Sequence, residues 1–139
     1  MIERPDTSTP RISCYFRIGG HDFDPATVTG ALGLDPDTIW HKREGLKYRT
    51  DIPSIVWSIG FTKQPFYSTS DALEELFLKI WPARVRIRDF LAESGLEGLF
   101  TCNITISEDR PLYELTPSVI EKLAFFGCEF LMDIFDYSE

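Results

Sequence analysis

The sequence predicts a two-layer α+β domain: a mainly antiparallel sheet of four to five strands with helices over one face. Three observations indicate this class. Alternating polar and apolar runs occur near both ends of the chain, a short helical segment follows each, and one long helical pattern lies between them. Each half therefore reads as strand, helix, strand, a pseudo-duplication that is loosely ferredoxin-like. We expect a single domain over residues 1–139, with residues 1–10 as a flexible tail.

The first half begins with a strand predicted over residues 11–18, RISCYFRI, in which every second residue is apolar. Asp24 followed by Pro25 is typical of a helix start, since aspartate caps the first turn and proline fits its first position. Gly33 is expected to end this helix. Its buried side is assigned to Val28, Ala31 and Leu32.

The closing strand of the first half is expected at residues 55–61, IVWSIGF. This assignment makes residues 40–50 an inserted connection between the first helix and that strand. The second half has no counterpart of such an insertion, because its helix and closing strand are separated only by a short turn.

The long helical pattern between the halves has possible caps at Ser70 and Asp71 and continues to Gly95. Pro82 interrupts the pattern, so we expect a kink or two abutting helices. On a helical wheel Arg84 falls within the apolar stripe. Two alternatives remain open: either the kink turns Arg84 outward, or Arg84 is a buried cation with a carboxylate partner.

The second half repeats the pattern, with a strand at residues 100–106, a helix starting at Thr116 and Pro117, and Gly127 at the helix end. The apolar side of this helix is assigned to Ile120, Leu123 and Ala124. The closing strand is predicted at residues 129–137, EFLMDIFDY, with apolar residues on both faces. Such a strand is expected to be covered on both sides or to form an interface.

The net charge of −8 lies entirely in the last third of the chain. Residues 93–139 carry 10 acidic and 2 basic side chains, whereas residues 1–92 carry equal numbers of each. An acidic surface repels nucleic acid and attracts basic proteins, so we expect no nucleic-acid partner. Residues 1–10 do not resemble a signal peptide, no apolar run is long enough to span a membrane, and the three cysteines read as reduced thiols. We therefore expect a cytoplasmic protein without membrane contact.

Signatures of catalysis and of metal binding are mostly absent from the sequence. There is no nucleophile elbow, phosphate-binding loop or zinc-protease motif. The segment GGHDFD, residues 19–24, is the nearest approach to a metal motif, but a glycine turn followed by an aspartate cap explains it. We accordingly expect no catalytic residue, no metal and no cofactor, and consider an enzymatic role the less favoured alternative.

A cationic segment, WHKREGLKYR at residues 40–49, has the composition that anchors interfaces. Its alternative interpretation is a long polar loop. The candidate binding residues in and near it are Trp40, His41, Lys42, Arg43, Lys47 and Arg49, together with Arg84 and Arg88 of the long helix. If these side chains converge, they predict a small-ligand or anion-binding sensor or enzyme.

A second candidate surface lies on the closing strand, where Glu129, Asp133 and Asp136 would face a basic protein partner. This surface supports the leading hypothesis, a non-enzymatic binding protein of the immunity type that blocks a basic toxin. A third hypothesis is a homodimeric structural module in which the two-faced strands pair across chains.

The chain also resembles a known bacterial family, catalogued as domain of unknown function 4279, over about residues 11–137. The resemblance rests on the pattern L-G-L-x-P at residues 32–36, on Lys42 and Gly45 in the cationic segment, and on Trp57 in the following strand. It implies a small α+β cytoplasmic bacterial protein, and it implies no catalytic residue.

Overall fold

The computed structural model describes residues 8–43, 45–47 and 52–137. Within these ranges a five-stranded sheet is packed against a layer of helices. The elements in chain order are β1 Arg11–Gly20, α1 Pro25–Leu32, β2 Thr38–His41, β3 Ile55–Pro65, α2 Thr69–Ile80, a 3-10 turn Trp81–Ala83, α3 Arg84–Ser94, β4 Glu97–Ile106, α4 Pro117–Phe126 and β5 Glu129–Asp136.

The sheet has the strand order β2-β3-β1-β4-β5. The pairs β2–β3, β3–β1 and β1–β4 are antiparallel, whereas β4–β5 is parallel. The predicted class, an α+β domain with a mainly antiparallel sheet and helices in a second layer, is confirmed. The parallel pair arises because α4 carries the chain back across the sheet before β5 begins, as a strand-helix-strand crossover requires.

The strand that completes the first half is β2, not the predicted strand at residues 55–61. Strand β2 is antiparallel to β3, and β3 is antiparallel to β1, so β2 runs parallel to β1 with β3 inserted between them. Both halves are thus parallel strand-helix-strand units. Strand β2 also occupies the start of the predicted insertion. Its four residues are all exposed, so it lacks the apolar alternation that reveals longer strands.

The predicted ends of the shorter helices are confirmed. Asp24 accepts a hydrogen bond from the amide of Ala26 at 2.9 Å, and Gly33 closes α1 at a φ of 67°. Thr116 caps α4 in the same way, and Gly127 ends it. Helix α2 instead begins at Thr69 and is capped by Ser68. The predicted cap, Ser70, lies within the helix, where its hydroxyl donates to the Glu114 carbonyl at 2.9 Å.

The predicted break at Pro82 is confirmed as a 3-10 turn over Trp81–Ala83, which separates α2 from α3. Proline cannot donate the backbone hydrogen bond that a continuous helix needs at this position. The turn leaves Ala83 buried and presents Pro82 to solvent.

An aromatic cluster lies between the sheet and the helices. Phe126 of α4 packs against Phe16, Phe77 and Phe100, with ring centroids 6.1, 6.4 and 5.4 Å away. Burial of each such side chain contributes roughly 1.5–3 kcal/mol. This packing orients α4 so that its buried residues are Val119, Leu123 and Phe126.

The side chains assigned to the buried faces of α1 and α4 are therefore only partly correct. Ile120 and Ala124 of α4 are exposed, as is Ala31 of α1. Val28, Leu32 and Leu123 are buried as predicted. The two helices are short, so their orientation follows from contacts with the sheet rather than from their own periodicity.

The chain is held in place from Ser8 onwards. The Ser8 carbonyl accepts a hydrogen bond from the Asp109 amide at 3.0 Å, and the Pro10 carbonyl accepts one from the Phe66 amide at 3.2 Å. Residues 8–10 of the predicted tail are thus anchored, whereas residues 1–7 lie outside the described ranges. None of the described helices combines the length and apolar character of a membrane span.

Candidate functional site

One face of the sheet carries no helix from the described part of the chain, and we call it the open sheet face. Alternate strand residues point to it, because their neighbours belong to the core on the other side. The register brings together Tyr15 of β1, Thr101 of β4 and Leu131 of β5. The face includes Trp40 of β2, Ser58 of β3, Arg11, Ser13, Tyr15 and Arg17 of β1, Leu99, Thr101, Asn103 and Thr105 of β4, and Glu129, Leu131, Asp133 and Phe135 of β5.

Strand β5 forms an edge of this sheet and is largely exposed. Its large apolar side chains remain accessible, with exposed fractions of 53% for Leu131, 48% for Ile134 and 46% for Phe135, and Tyr137 just beyond the strand reaches 70%. Unpaired edge strands with apolar side chains are typical of interfaces. The strand thus combines aromatic area with an open edge.

The three predicted acidic residues of β5 divide between the two sides of the strand. Glu129 and Asp133 are in register with Leu99 and Asn103, so they belong to the open sheet face. Asp136 is in register with a core residue and lies on the other side, where its Oδ2 is 2.6 Å from Nη2 of Arg110. Its charge is therefore balanced locally, which leaves Glu129 and Asp133 as the acidic part of the open face.

Arg17 occupies the middle strand of the open sheet face. Its guanidinium carbon lies 5.0 Å from the centroid of the Tyr15 ring, and the Tyr15 hydroxyl is hydrogen-bonded to that of Thr62. Burial lowers the pKa of Arg17. The Nε atom of Arg17 and the hydroxyl of Thr101 are both enclosed and have no hydrogen-bond partner among the described residues.

Sequence reasoning missed Arg17 and Thr101. One signal was available: Arg17 is a cation at an outward position within a strand, two residues from the outward Tyr15. The neighbouring strand that supplies Thr101 is 84 positions away, so its approach could be known only from the strand order.

The cationic segment is partly an edge strand rather than a loop. Trp40 pairs with Val56 and lies on the open sheet face, and His41 pairs with Ile55. The backbone amide of Lys42 donates to the Ser54 carbonyl at 2.9 Å. Arg43 and Lys47 are exposed, whereas Arg49 lies outside the described residues.

The two predicted helix arginines lie in the other layer, on the far side of the sheet from Trp40. Arg84 is half-buried, its guanidinium carbon 4.8 Å from the Trp81 ring centroid, and its Nη1 donates to the Trp81 carbonyl at 3.1 Å. Arg88 lies over the Phe125 ring at 4.6 Å. Arg84 thus neither points outward freely nor pairs with a carboxylate of the described chain; an aromatic ring and a carbonyl hold it instead.

A concavity of about 530 Å³ lies where α3 and α4 end and β4 and β5 begin. Arg88, Cys128 and Glu129 are among its lining residues. Burial raises the pKa of Cys128 to about 11, so its thiol is protonated near neutral pH. A protonated thiol is a poor nucleophile, so Cys128 is not poised for covalent chemistry.

Within the described ranges, no three His, Cys, Asp or Glu side chains are grouped so that they could hold a metal ion. His21 and Asp24 of the segment GGHDFD instead line a shallow pocket of about 280 Å³ with Phe23 and Phe90. Asp24 is engaged in capping α1.

Comparison with known proteins gives one match. A family model described as Domain of unknown function (DUF4279) matches residues 10–137. No curated protein and no solved structure matches the chain. The match covers nearly the whole chain and carries no statement of activity, so the surface geometry must support any functional proposal.

Proposed function

Since the chain belongs to the DUF4279 family, whose description names no activity, we propose from its surface that it is a non-enzymatic binding protein with a basic protein partner. The partner would contact β5 and the adjoining part of the open sheet face. In its most specific form, the protein is an immunity-type inhibitor that covers a basic toxin.

The observation that carries the proposal is the composition of β5 as an exposed edge strand. Leu131 and Phe135 stand two rows apart on the open sheet face, with Asp133 between them and Glu129 at the end of the row. Apolar anchors supply the free energy of most interfaces, and charges around them select the partner. Leu131 and Phe135, flanked by the carboxylates of Glu129 and Asp133, would complement a partner surface in which lysine or arginine residues surround an apolar centre.

The acidic excess of the chain supports a basic partner. Residues 93–139 contribute the whole net charge, and β5 is the exposed strand within them. Opposite charges increase the association rate and suppress wrong partners. The same charges disfavour a homodimer that pairs two antiparallel copies of β5 centred on Leu131, because Glu129 of each copy would then face Asp133 of the other.

A cytoplasmic location is part of the proposal. Cys14 and Cys102 face each other across β1 and β4 with their sulfurs 3.0 Å apart, and both are free thiols. Thiols this close remain unjoined in a reducing compartment. The expectation of such a compartment rests on the sequence, which has three cysteines, an odd number, and no C-x-x-C spacing.

The proposal is tested by immobilising the 139-residue chain and capturing partners from an extract of its own cells. A basic partner should bind at low salt and elute when sodium chloride is raised to about 0.5 M, because salt screens the attraction. The purified partner is then titrated in solution against the protein and against the double variant E129K/D133K. We expect the variant to bind at least tenfold more weakly.

A matched control is available in E93K/E121K, which changes the net charge equally but on exposed positions of α3 and α4. Equal weakening by the two double variants would show that only net charge matters, and it would refute a site on β5. For an inhibitor, the captured protein should additionally lose its own activity at a one-to-one ratio. Failure to retain any basic protein would reject the proposal as a whole.

A further inference from the structure

We propose that Arg17 and Thr101 on the open sheet face form a binding site for a small oxyanion, a carboxylate or a phosphate group. The site lies in the middle of the sheet and uses none of the acidic residues of β5, although Leu131 beside Thr101 also belongs to the proposed partner surface. It is also distinct from the cationic segment, because neither residue belongs to it.

The first indication is a pair of enclosed polar atoms without partners. Thr101 is only 9% exposed, and its hydroxyl makes no hydrogen bond among the described residues. The Nε atom of Arg17 is likewise inaccessible to solvent and makes no hydrogen bond among the described residues. Because about nine in ten buried polar groups in proteins are paired, two unpaired donors on one face indicate a missing acceptor.

The register brings these two donors to neighbouring strands of the same face. Thr101 is paired with Tyr15, and Arg17 with Leu99, so Thr101 is diagonal to Arg17 across the β1–β4 pair. Diagonal neighbours on a sheet are roughly 7–8 Å apart, within the reach of a long side chain. Two oxygens of one anion, each about 2.8 Å from its donor, can bridge an arginine and a hydroxyl at this spacing.

The arginine is positioned but left without a counter-charge. The Tyr15 ring supports one side of the guanidinium group, and Tyr15 is itself fixed by its bond to Thr62. Among the described residues no carboxylate forms an ion pair with Arg17. In contrast, Arg88 and Arg110 form ion pairs with Asp89 and Asp136, with nitrogen–oxygen distances of 3.7 and 2.6 Å, respectively.

The surroundings indicate what else the ligand can contain. Leu99 lies beside Arg17, and Leu131 lies beside Thr101, so the anion would rest next to apolar side chains. A partly desolvated guanidinium gains more from an anion than one in open water does. The lowered pKa of Arg17 is consistent with this setting.

The test uses the full chain labelled with nitrogen-15 and follows the backbone amides and the arginine Nε–H signals during titration. The probes are sodium phosphate and sodium isobutyrate, each against sodium chloride at equal ionic strength. We expect a saturable shift of the Arg17 Nε–H signal and of the Thr101 amide. Saturation by phosphate alone assigns the site to phosphate, by isobutyrate alone to carboxylates, and by both to oxyanions in general. Shifts with both probes that merely follow those of chloride would overturn the site.

Single substitutions distinguish specific binding of the anion at Arg17 and Thr101 from non-specific electrostatic attraction to the protein surface. We expect Arg17→Gln to weaken binding at least tenfold and Thr101→Val about threefold, while the control Arg86→Gln on the exposed surface of α3 leaves it unchanged. Arg17→Lys keeps the charge but lacks the Nε donor, and it should weaken binding at least threefold. If Arg17→Gln fails to fold, the affinities of Thr101→Val and Arg17→Lys for the anion still test the proposed site. Equal affinity in these two and the wild type would refute the site.

Discussion

Gly60 of β3 lies directly opposite Tyr15 of β1, so close that a β-carbon at position 60 would be 2.8 Å from Cδ1 of the tyrosine ring. The same β-carbon would be 2.0 Å from the carbonyl oxygen of Cys14, which belongs to the backbone and cannot move aside. The position that supports Tyr15, and through it Arg17, therefore accepts no side chain.

Gly60→Ala should accordingly destabilise the protein by about 3 kcal/mol, since the collision must separate two central strands. Urea unfolding followed by circular dichroism measures this change. Gly30→Ala is the matched control, because Gly30 is in the interior of α1 and a β-carbon added there would meet nothing within 4 Å. That substitution should stabilise the protein by roughly 0.5–1 kcal/mol through helix propensity. Similar effects of the two changes would contradict the close approach.

A partly buried hydrogen bond joins the sheet to the first helix. The indole nitrogen of Trp57, whose side chain is fully buried, donates to the hydroxyl of Thr29 at 3.1 Å. We expect Trp57→Phe to cost about 2–3 kcal/mol and Thr29→Val about 1–2 kcal/mol. In a double-mutant cycle the two changes should couple by about 1 kcal/mol, because each removes the same bond. Strict additivity of the unfolding free energies would indicate that the bond contributes nothing.

The thiol of Cys128 should react slowly with alkylating reagents. With a pKa of about 11, only about 0.1% of it is thiolate at pH 8, against roughly 10% for a thiol at the ordinary value near 9. Alkylation by iodoacetamide should thus be about 100-fold slower than for a free thiol and should rise tenfold per pH unit towards pH 11. Mass spectrometry measures the rates, with Cys128→Ser as the blank. Rapid reaction at pH 7.5 would contradict the burial.

Neutralising Asp133 and neutralising Asp136, both on β5, should change the affinity for a basic partner by different amounts. Asp136 is already balanced by Arg110 and lies away from the open sheet face, whereas Asp133 is on it. For a captured basic partner, we expect Asp133→Asn to weaken binding about three- to tenfold and Asp136→Asn to change it by less than about twofold. Calorimetric titration distinguishes them. The reverse order would place the partner on the other side of β5.

Much of the fold could be predicted from short-range patterns. The alternation in β1 and β4, the proline-supported starts of α1 and α4, and the break at Pro82 all depend on residues within one or two turns of each other. Strand β2 was not predicted, because an exposed strand of four residues has no alternating apolar face in its sequence. The cap at Ser68 was missed since Ser70 is used in a tertiary contact instead.

The candidate sites were predictable only in part. The acidic excess identified the last third of the chain, and the composition of residues 40–49 identified Trp40 as a surface aromatic residue. Neither pattern could show that Asp136 is separated from Asp133, because this depends on which side of β5 faces the core. Nor could it show that Arg84 and Arg88 are held by Trp81 and Phe125.

By itself the sequence determined the class of domain, most of its elements and the distribution of its charge, because these follow from local periodicity and composition. The tertiary structure decided the strand order and with it the meeting of Arg17 and Thr101, which are 84 residues apart in the chain. It also decided that β5 is an exposed edge. Pairing across the sheet is a long-range choice, and local patterns leave it open because many strand orders satisfy the same alternation.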